Sequence, residues 1–238
     1  MHRFAVAVVI TVAAGCTPRA VTPPARTLVM QSAALPEPGH QDVQVEVSRI
    51  GTIWGPELVG GGARLRHTVA SNVALEADAG LLRVINAGDG GNRNAHTGRL
   101  GVVVTLPDQR LAVGGGIGGG YSATAGSWGT VDVGAVLSGK HQHVRPQLGG
   151  TFGYGTPLGD QTFTVSEPDG STTELRLPRN TFAQVNAGLE LGPRRSAVLV
   201  GASMIRFSLH ESDFADGSPG SGDDLYLALG IGVRIVTD

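Results

Sequence analysis

Three residues near the end of the chain have the types that nucleophilic catalysis requires. His210 and Ser212 are two positions apart, and Asp224 follows twelve residues after Ser212. Residues i and i+2 of a strand share a face, and a neighbouring strand can bring a carboxylate to the imidazole. The pattern therefore predicts Ser212 as nucleophile, His210 as base and Asp224 as the group that orients the base. The alternative is a polar strand end that continues into a solvated, acidic loop.

Three other patterns look like ligand sites only in part. His141 and His143 could hold a metal, but they lie in a predicted turn with no carboxylate or thiol near them in sequence. The acidic loop 210–224 lacks the ordered spacing of a calcium loop. The glycines of residues 114–120 lack the Lys-Ser/Thr of a phosphate-binding loop. The sequence therefore predicts no metal and no cofactor.

The elements that must position these residues are β-strands, because apolar side chains alternate with small or polar ones after residue 41. From Leu225 to Ile235 every odd-numbered residue is aliphatic, and the residues between them include Gly230, Gly232 and Arg234. The pattern predicts ten strands, or eight if the first hairpin, which Gly55-Pro56 interrupts, lies outside the wall. The predicted strands are 42–54, 58–69, 73–84, 98–106, 111–122, 131–138, 144–154, 182–191, 196–209 and 225–236.

Short and long connections alternate between these strands. Tight turns are predicted at 70–72, 107–110, 139–143 and 192–195, and longer loops at 85–97, 157–180 and 210–224, with a shorter one at 123–128. A tilted strand crosses a bilayer with roughly nine to eleven residues. The sequence thus predicts an all-β fold, a single antiparallel up-and-down transmembrane β-barrel with short periplasmic turns and longer outer loops.

The less apolar face of the strands indicates what fills the barrel. It is rich in Gly, Ala and Ser and carries charges of both signs, whereas a soluble barrel would normally show Lys, Glu and Thr to water. An Arg facing lipid at the midplane would cost about 2–4 kcal/mol, but inside a narrow barrel opposite charges can pair. Such a lumen argues against a general diffusion pore. The predicted lumen ion-pair network contains Glu46, Arg64, Arg66, Glu76, Asp78, Asp132, Arg145, Glu190 and Arg234.

Aromatic residues gather near the predicted loop ends of the strands. An interfacial girdle at one membrane surface would have this placement. The predicted girdle contains Trp54, Tyr121, Trp128, Tyr154 and Phe207.

The N-terminal residues have the pattern of an export signal. A positive start is followed by an apolar stretch over residues 4–14 and by small residues before Cys16, the only cysteine of the chain. Residues 1–15 are interpreted as a signal peptide and Cys16 as a lipidated first residue, with an ordinary secretory signal as the alternative. Residues 16–41 are predicted to be a lipidated, Pro-rich linker with little to bury, and residues 42–238 the barrel domain.

Composition restricts the partners further. Eighteen Lys and Arg stand against twenty Asp and Glu, for a net charge of −2. This balance gives no reason to expect nucleic acid as a partner. A single cysteine excludes an intrachain disulfide framework. The charged fraction of 16% is below the approximately 25% of soluble domains, so the chain is short of surface charge.

Two resemblances add to these patterns. Over residues 42–238 the chain resembles the small outer-membrane β-barrels of Gram-negative bacteria, of the OmpA/OmpX-like kind. The residues before Cys16 resemble a lipoprotein signal, and Thr17 and Pro18 follow Cys16 in place of the Asp that implies inner-membrane retention. His210-x-Ser212 with a later acidic residue resembles the motif of the lipid A 3-O-deacylases (PagL-like barrels), which implies a serine esterase of the outer leaflet. Asp213 stands where that family has Asn, and that family's barrel has eight strands.

Three functional hypotheses follow. The leading one is an outer-membrane β-barrel lipoprotein of the cell envelope that is not an enzyme, with a structural, adhesive or envelope-interaction role carried by its outer loops. The second is a lipid A 3-O-deacylase-like esterase that uses Ser212, His210 and Asp224. The third is a soluble ligand-binding barrel tethered by Cys16. The partners expected for the leading hypothesis are outer-membrane lipid, lipopolysaccharide and an unidentified protein at the loops.

Overall fold

Twelve β-strands make up the regular structure of the computed structural model, which describes residues 20–26, 28, 31–52, 57–85, 94–166, 170–218 and 223–237. The strands are β1 (Gln41–Thr52), β2 (Glu57–Ala70), β3 (Val73–Ile85), β4 (Asn94–Thr105), β5 (Leu111–Ser122), β6 (Gly126–Ser138), β7 (Val144–Pro157), β8 (Thr162–Ser166), β9 (Thr172–Arg176), β10 (Asn180–Leu191), β11 (Ser196–Leu209) and β12 (Asp223–Thr237). No helix in the described part of the chain has the length and apolar character needed to cross a membrane.

Ten of the strands close into one antiparallel barrel. The order around the wall is β1-β12-β11-β10-β7-β6-β5-β4-β3-β2, and β1 completes the ring by pairing with β12 from Gln41↔Thr237 to Thr52↔Tyr226. Sequence neighbours are therefore wall neighbours, apart from the β8–β9 hairpin inserted between β7 and β10. The predicted up-and-down barrel is confirmed with ten strands. The eight-strand alternative is wrong, because β1 and β2 pair along almost their whole length within the wall.

The alternation of side chains along each strand decides what faces in and out. Ile117 on β5 and Leu229 on β12 are 68% and 67% exposed on the outer surface. Arg64, Glu76 and Glu190 on the opposite face are at most 3% exposed. The predicted assignment, with the aliphatic face outside and the charged face inside, is therefore the observed one. Tight packing in the lumen relies on glycine: a Cβ at Gly116 would lie 2.5 Å from the guanidinium carbon of Arg99.

The predicted aromatic girdle is wrong for two of its members. Trp128 and Phe207 are buried inside the barrel at 2% and 3% exposure, because they occupy inward positions of β6 and β11. Phe207 packs edge-on against Tyr226, with ring centroids 5.3 Å apart, and also contacts Phe182. Tyr121 is exposed as predicted, and the predicted girdle member Trp54 lies outside the described residues.

The segment before β1 lies inside the barrel. The described residues from Ala20 to Leu35, here termed the lumen strap, are all buried or half-buried, and Thr22, Leu28 and Ala33 are at most 1% exposed. The sequence predicted a linker with little to bury, and the structure differs. Since the wall supplies glycines where the strap passes, small residues such as Ala25 fit against it. The predicted signal peptide and Cys16 lie outside the described residues and stay predictions.

Candidate functional site

The lumen is filled by a network of ion pairs between neighbouring strands. Arg64 and Arg66 on β2 stand directly opposite Asp78 and Glu76 on β3 in the strand register. Arg64 donates from Nε to Asp78 Oδ1 at 2.7 Å, and Arg66 donates from Nη2 to Glu76 Oε1 at 2.6 Å. Opposite charges facing each other across two antiparallel strands stabilise the pairing.

A bidentate contact between Arg99 and Asp132 extends this network across the glycine-rich strand β5. Arg99 on β4 donates from Nε and Nη2 to the two carboxylate oxygens of Asp132 on β6, at 2.7 Å each. The strand between them is β5, whose Gly116 leaves room for the guanidinium group. Two parallel N–H···O bonds form the strongest kind of Arg–carboxylate pair.

A second cluster lies near the turn end of the barrel and is centred on Glu190. Its carboxylate accepts hydrogen bonds from Arg145 at 2.8 Å and Gln147 at 2.8 Å, and from Arg234. Asp42 lies 3.6 Å from Arg234 and 3.8 Å from Arg66, and therefore joins the two clusters.

All nine residues of the predicted network are buried in the lumen, where Glu46 accepts a hydrogen bond from Gln44. Sequence reasoning missed Asp42, Arg99 and Arg26. Asp42 and Arg99 could have been found, because each occupies an inward position of its strand. Arg26 could not, because it lies on the strap and not on a strand.

Charge balance ties the strap to the wall. Among the described residues the barrel strands bury six carboxylates (Asp42, Glu46, Glu76, Asp78, Asp132 and Glu190) and five guanidinium groups (Arg64, Arg66, Arg99, Arg145 and Arg234). Arg26 of the strap is the sixth cation, and it donates to Glu76 Oε2 at 2.7 Å. A buried charge is costly unless it is paired. The strap therefore completes the neutralisation of the lumen.

The residues predicted to be catalytic lie at the loop end. His210 is exposed directly after β11, with its ring 6.1 Å from that of Tyr154. Ser212 Oγ donates to the backbone oxygen of Ser218 and accepts from Phe214 N at 3.1 Å, so its proton is committed to Ser218 O and is not donated to the imidazole. The backbone of Asp224 pairs with Phe207 on β11, but its side chain lies outside what the structure describes. The catalytic triad stays a prediction.

The loop after β11 is folded against the β8–β9 hairpin, and together they form the structure here termed the loop cap (residues 162–166, 172–176 and 211–217). Phe214 forms a bridge with Leu175, and Arg176 N donates to Asp213 O at 2.8 Å. Leu175 and Asp213 are fully buried, whereas Thr162, Thr164 and Thr172 are exposed. Hydrogen bonds from the hydroxyl and the backbone N–H of Ser218 lower the pKa of the nearby Asp216 carboxyl. The cap is thus an ordered, polar outer surface.

Metal ligation finds no support at the histidine turn. His141 and His143 are both exposed in the turn between β6 and β7. Within the described residues no group of three or more His, Cys, Asp or Glu side chains is placed to hold a metal ion.

Comparisons with known proteins concern the fold only. No protein-family model matches the chain, and no curated protein matches it in sequence. Outer membrane protease OmpT from Escherichia coli is similar in structure, with a TM-score of 0.45, 10% identity, and coverage of 87% of this chain and 100% of that one. Neisserial surface protein A has a TM-score of 0.41, 10% identity, and coverage of 82% and 95%. The attachment invasion locus protein Ail of Yersinia pestis has a TM-score of 0.30, 10% identity, and coverage of 84% and 99%.

Proposed function

We propose that this protein is an outer-membrane β-barrel with a closed lumen, whose structural, adhesive or envelope-interaction role is carried by its loop end. The observation that carries the proposal is the inverted polarity of the wall. Thirty-four of the described large apolar side chains are exposed, whereas six carboxylates and five guanidinium groups of the wall strands are buried. The exposed arginines of the wall strands, Arg49, Arg83 and Arg206, lie near the loop end. Soluble monomers rarely expose an apolar patch above a few hundred Å². A lipid environment accounts for this surface.

The filled lumen supports a role other than diffusion of solutes. Between the strap and the wall lies a cavity of about 10 Å³ beside Arg26, Ser32 and Arg66. That volume holds about one water molecule. The part of the molecule available to a partner is therefore the loop end, where the loop cap presents ordered threonines beside the lipid-facing wall.

The experiment that tests membrane placement removes the predicted anchor. The full-length Cys16→Ser protein is expected to stay in the outer-membrane fraction and to show a heat-dependent shift in gel mobility, because the wall itself contacts lipid. Release of the variant as a soluble protein would contradict the proposal and favour the tethered, soluble ligand-binding barrel.

A second test addresses the esterase alternative. Mass spectrometry of lipid A from cells with and without the protein is expected to show the same acylation pattern. Loss of an acyl chain that depends on the protein, and that is abolished by Ser212→Ala, would instead identify it as a lipid A deacylase.

A further inference from the structure

The described residues of the lumen strap lead from the loop end to the turn end of the barrel. At the loop end, Ala20 N donates to Asp213 Oδ2 at 3.0 Å, and Thr22 Oγ1 donates to Pro178 O at 2.6 Å. Asn180, the first residue of β10, donates from Nδ2 to Thr22 O at 3.1 Å. Three hydrogen bonds thus fix the first described residues of the strap beside the loop cap.

The middle of the strap is held by charge and by shape. Arg26 donates to Glu76, and its Nε lies 3.5 Å from Asp78 Oδ2. A Cβ at Gly118 of β5 would lie 2.7 Å from the Cβ of Ala25, and one at Gly155 of β7 would lie 2.8 Å from Thr22 Cγ2. These two wall glycines leave the space that the strap occupies.

The last part of the strap reaches the turn end and then reverses. Arg66 Nη1 donates to Ser32 O at 3.0 Å, and Ala33 N donates to the Ser138 hydroxyl at 2.9 Å, at the end of β6. A turn follows, in which His40 N donates to Glu37 O at 3.0 Å and Gly39 has a φ of +89°. That φ favours glycine. After this turn the chain reverses direction and continues in the wall as β1.

The length of the strap agrees with this path. From Ala20 to Ala33 an extended chain at about 3.3 Å per residue reaches roughly 43 Å, which exceeds the approximately 30 Å hydrocarbon core of a bilayer. We propose that the chain enters its own barrel from the cell exterior, so that the residues that precede Ala20 are presented on the same face as the loop cap. The orientation of the strap relative to the cell rests on the proposed outer-membrane placement, whereas its path through the lumen does not.

The consequence concerns the predicted lipid anchor. Cys16 precedes Ala20 by four positions, which an extended chain spans in about 14 Å at most. Acyl chains on Cys16 would therefore enter the outer leaflet beside the loops. A lipoprotein whose linker ran along the periplasm would instead place them in the inner leaflet of the same membrane.

A disulfide tests the path of the strap in purified protein. In the full chain carrying Cys16→Ser, the pair Thr22→Cys and Gly155→Cys is expected to form a disulfide in the detergent-folded barrel. The Cβ of Thr22 lies 3.3 Å from the ideal Cβ position of Gly155, close to the 3.5–4.5 Å of disulfides. The matched control is the pair Thr22→Cys and Phe152→Cys, because Phe152 faces outward on the same strand and is 56% exposed. Equal crosslinking of the two pairs, or none in the first, would overturn the path.

Epitope accessibility on intact cells tests the orientation. A tag inserted immediately before Ala20 is expected to bind antibody as well as a tag at the exposed loop residue Gly159, and a tag at Lys140 in a turn is expected to bind only after permeabilisation. A tag before Ala20 that behaves like the one at Lys140 overturns the inference. If the Gly159 tag is hidden as well, the outer-membrane placement fails, and the disulfide pair still decides the path of the strap.

Discussion

At the residue scale, the lumen is held by charges that are neutral only as a set. Asp132 receives both of its guanidinium bonds from Arg99, and Glu190 receives three donors from two other strands, β7 and β12. Removing one partner of such a buried pair leaves the other charge without compensation. The network therefore selects one arrangement of side chains inside the barrel.

Substitution of Arg99 by Met is expected to destabilise the barrel by about 3–5 kcal/mol, because the Asp132 carboxylate stays buried without its partner. The measurement is urea unfolding in lipid vesicles followed by tryptophan fluorescence. Arg110→Met is the matched control, since Arg110 and Asp108 form an exposed pair 3.6 Å apart at the β4–β5 turn. Exposed pairs contribute about 0–1 kcal/mol. Similar losses in the two variants would show that burial of the network is not the source of its stability.

Ser212 illustrates how a residue of the right type can have a structural role. Its hydroxyl links the backbone of Phe214 to that of Ser218 and so closes the turn at the end of the loop cap. Ser212→Ala is expected to loosen this turn, which limited proteolysis of the folded protein would detect as faster cleavage near residue 218. His210→Ala is the control and is expected to leave the cleavage rate unchanged, because the imidazole lies outside this turn. Matched effects of both substitutions would indicate that the two side chains act together.

At the element scale, the glycines of β5 account for the narrow lumen. A Cβ at Gly116 would lie 2.5 Å from Leu100 O as well as from Arg99, and one at Gly118 would overlap the backbone of Gly98 and the strap. A strand of this composition looks weak by propensity. Its glycines leave space for Arg99 of β4 and Trp128 of β6, whose side chains lie over the inner face of β5.

Gly116→Ala is expected to destabilise the barrel by about 1–3 kcal/mol, the range of overpacking in a filled interior. Gly150→Ala is the matched control: it adds the same methyl group to a wall strand, where its only close neighbour is Gln184 O at 3.7 Å. Thermal unfolding in detergent micelles measures both. A Gly150→Ala effect as large as that of Gly116→Ala would mean that loss of glycine flexibility, and not the clash with Arg99, is the cause.

At the scale of the whole molecule, the outer wall is apolar, and Arg26 of the strap balances the buried charges of the lumen. On β12 alone, every second residue is a large exposed aliphatic side chain, as in Leu227, Leu229, Ile231 and Val233. No second layer of the described structure covers them. The strap is the only described segment that crosses the interior, and together with the inward side chains of the wall it packs the lumen.

Leu229→Arg is expected to reduce folding stability in lipid vesicles by about 2–4 kcal/mol, because Leu229 lies near the middle of β12 on the outer face. Leu158→Arg is the matched control, since Leu158 is equally exposed at 67% but lies in the loop after β7. Its expected cost is about 0–1 kcal/mol, as near the interfaces of a bilayer. The two variants would be equally stable if the wall faced water.

The sequence by itself determined the barrel, because Val, Leu and Ile alternate with small or charged residues along the wall strands. Since successive side chains of a strand point to opposite faces, this alternation shows which face each side chain takes. It also predicted the nine network residues, since charges on one face of adjacent strands must be enclosed together. Only the tertiary structure decided that Trp128 and Phe207 face inward, that residues 162–166 pair with residues 172–176, and that the strap lies in the lumen. These three features depend on the register of the strands and on the space left by distant glycines such as Gly118 and Gly155. The local sequence of residues 20–35 contains no pattern that indicates this space.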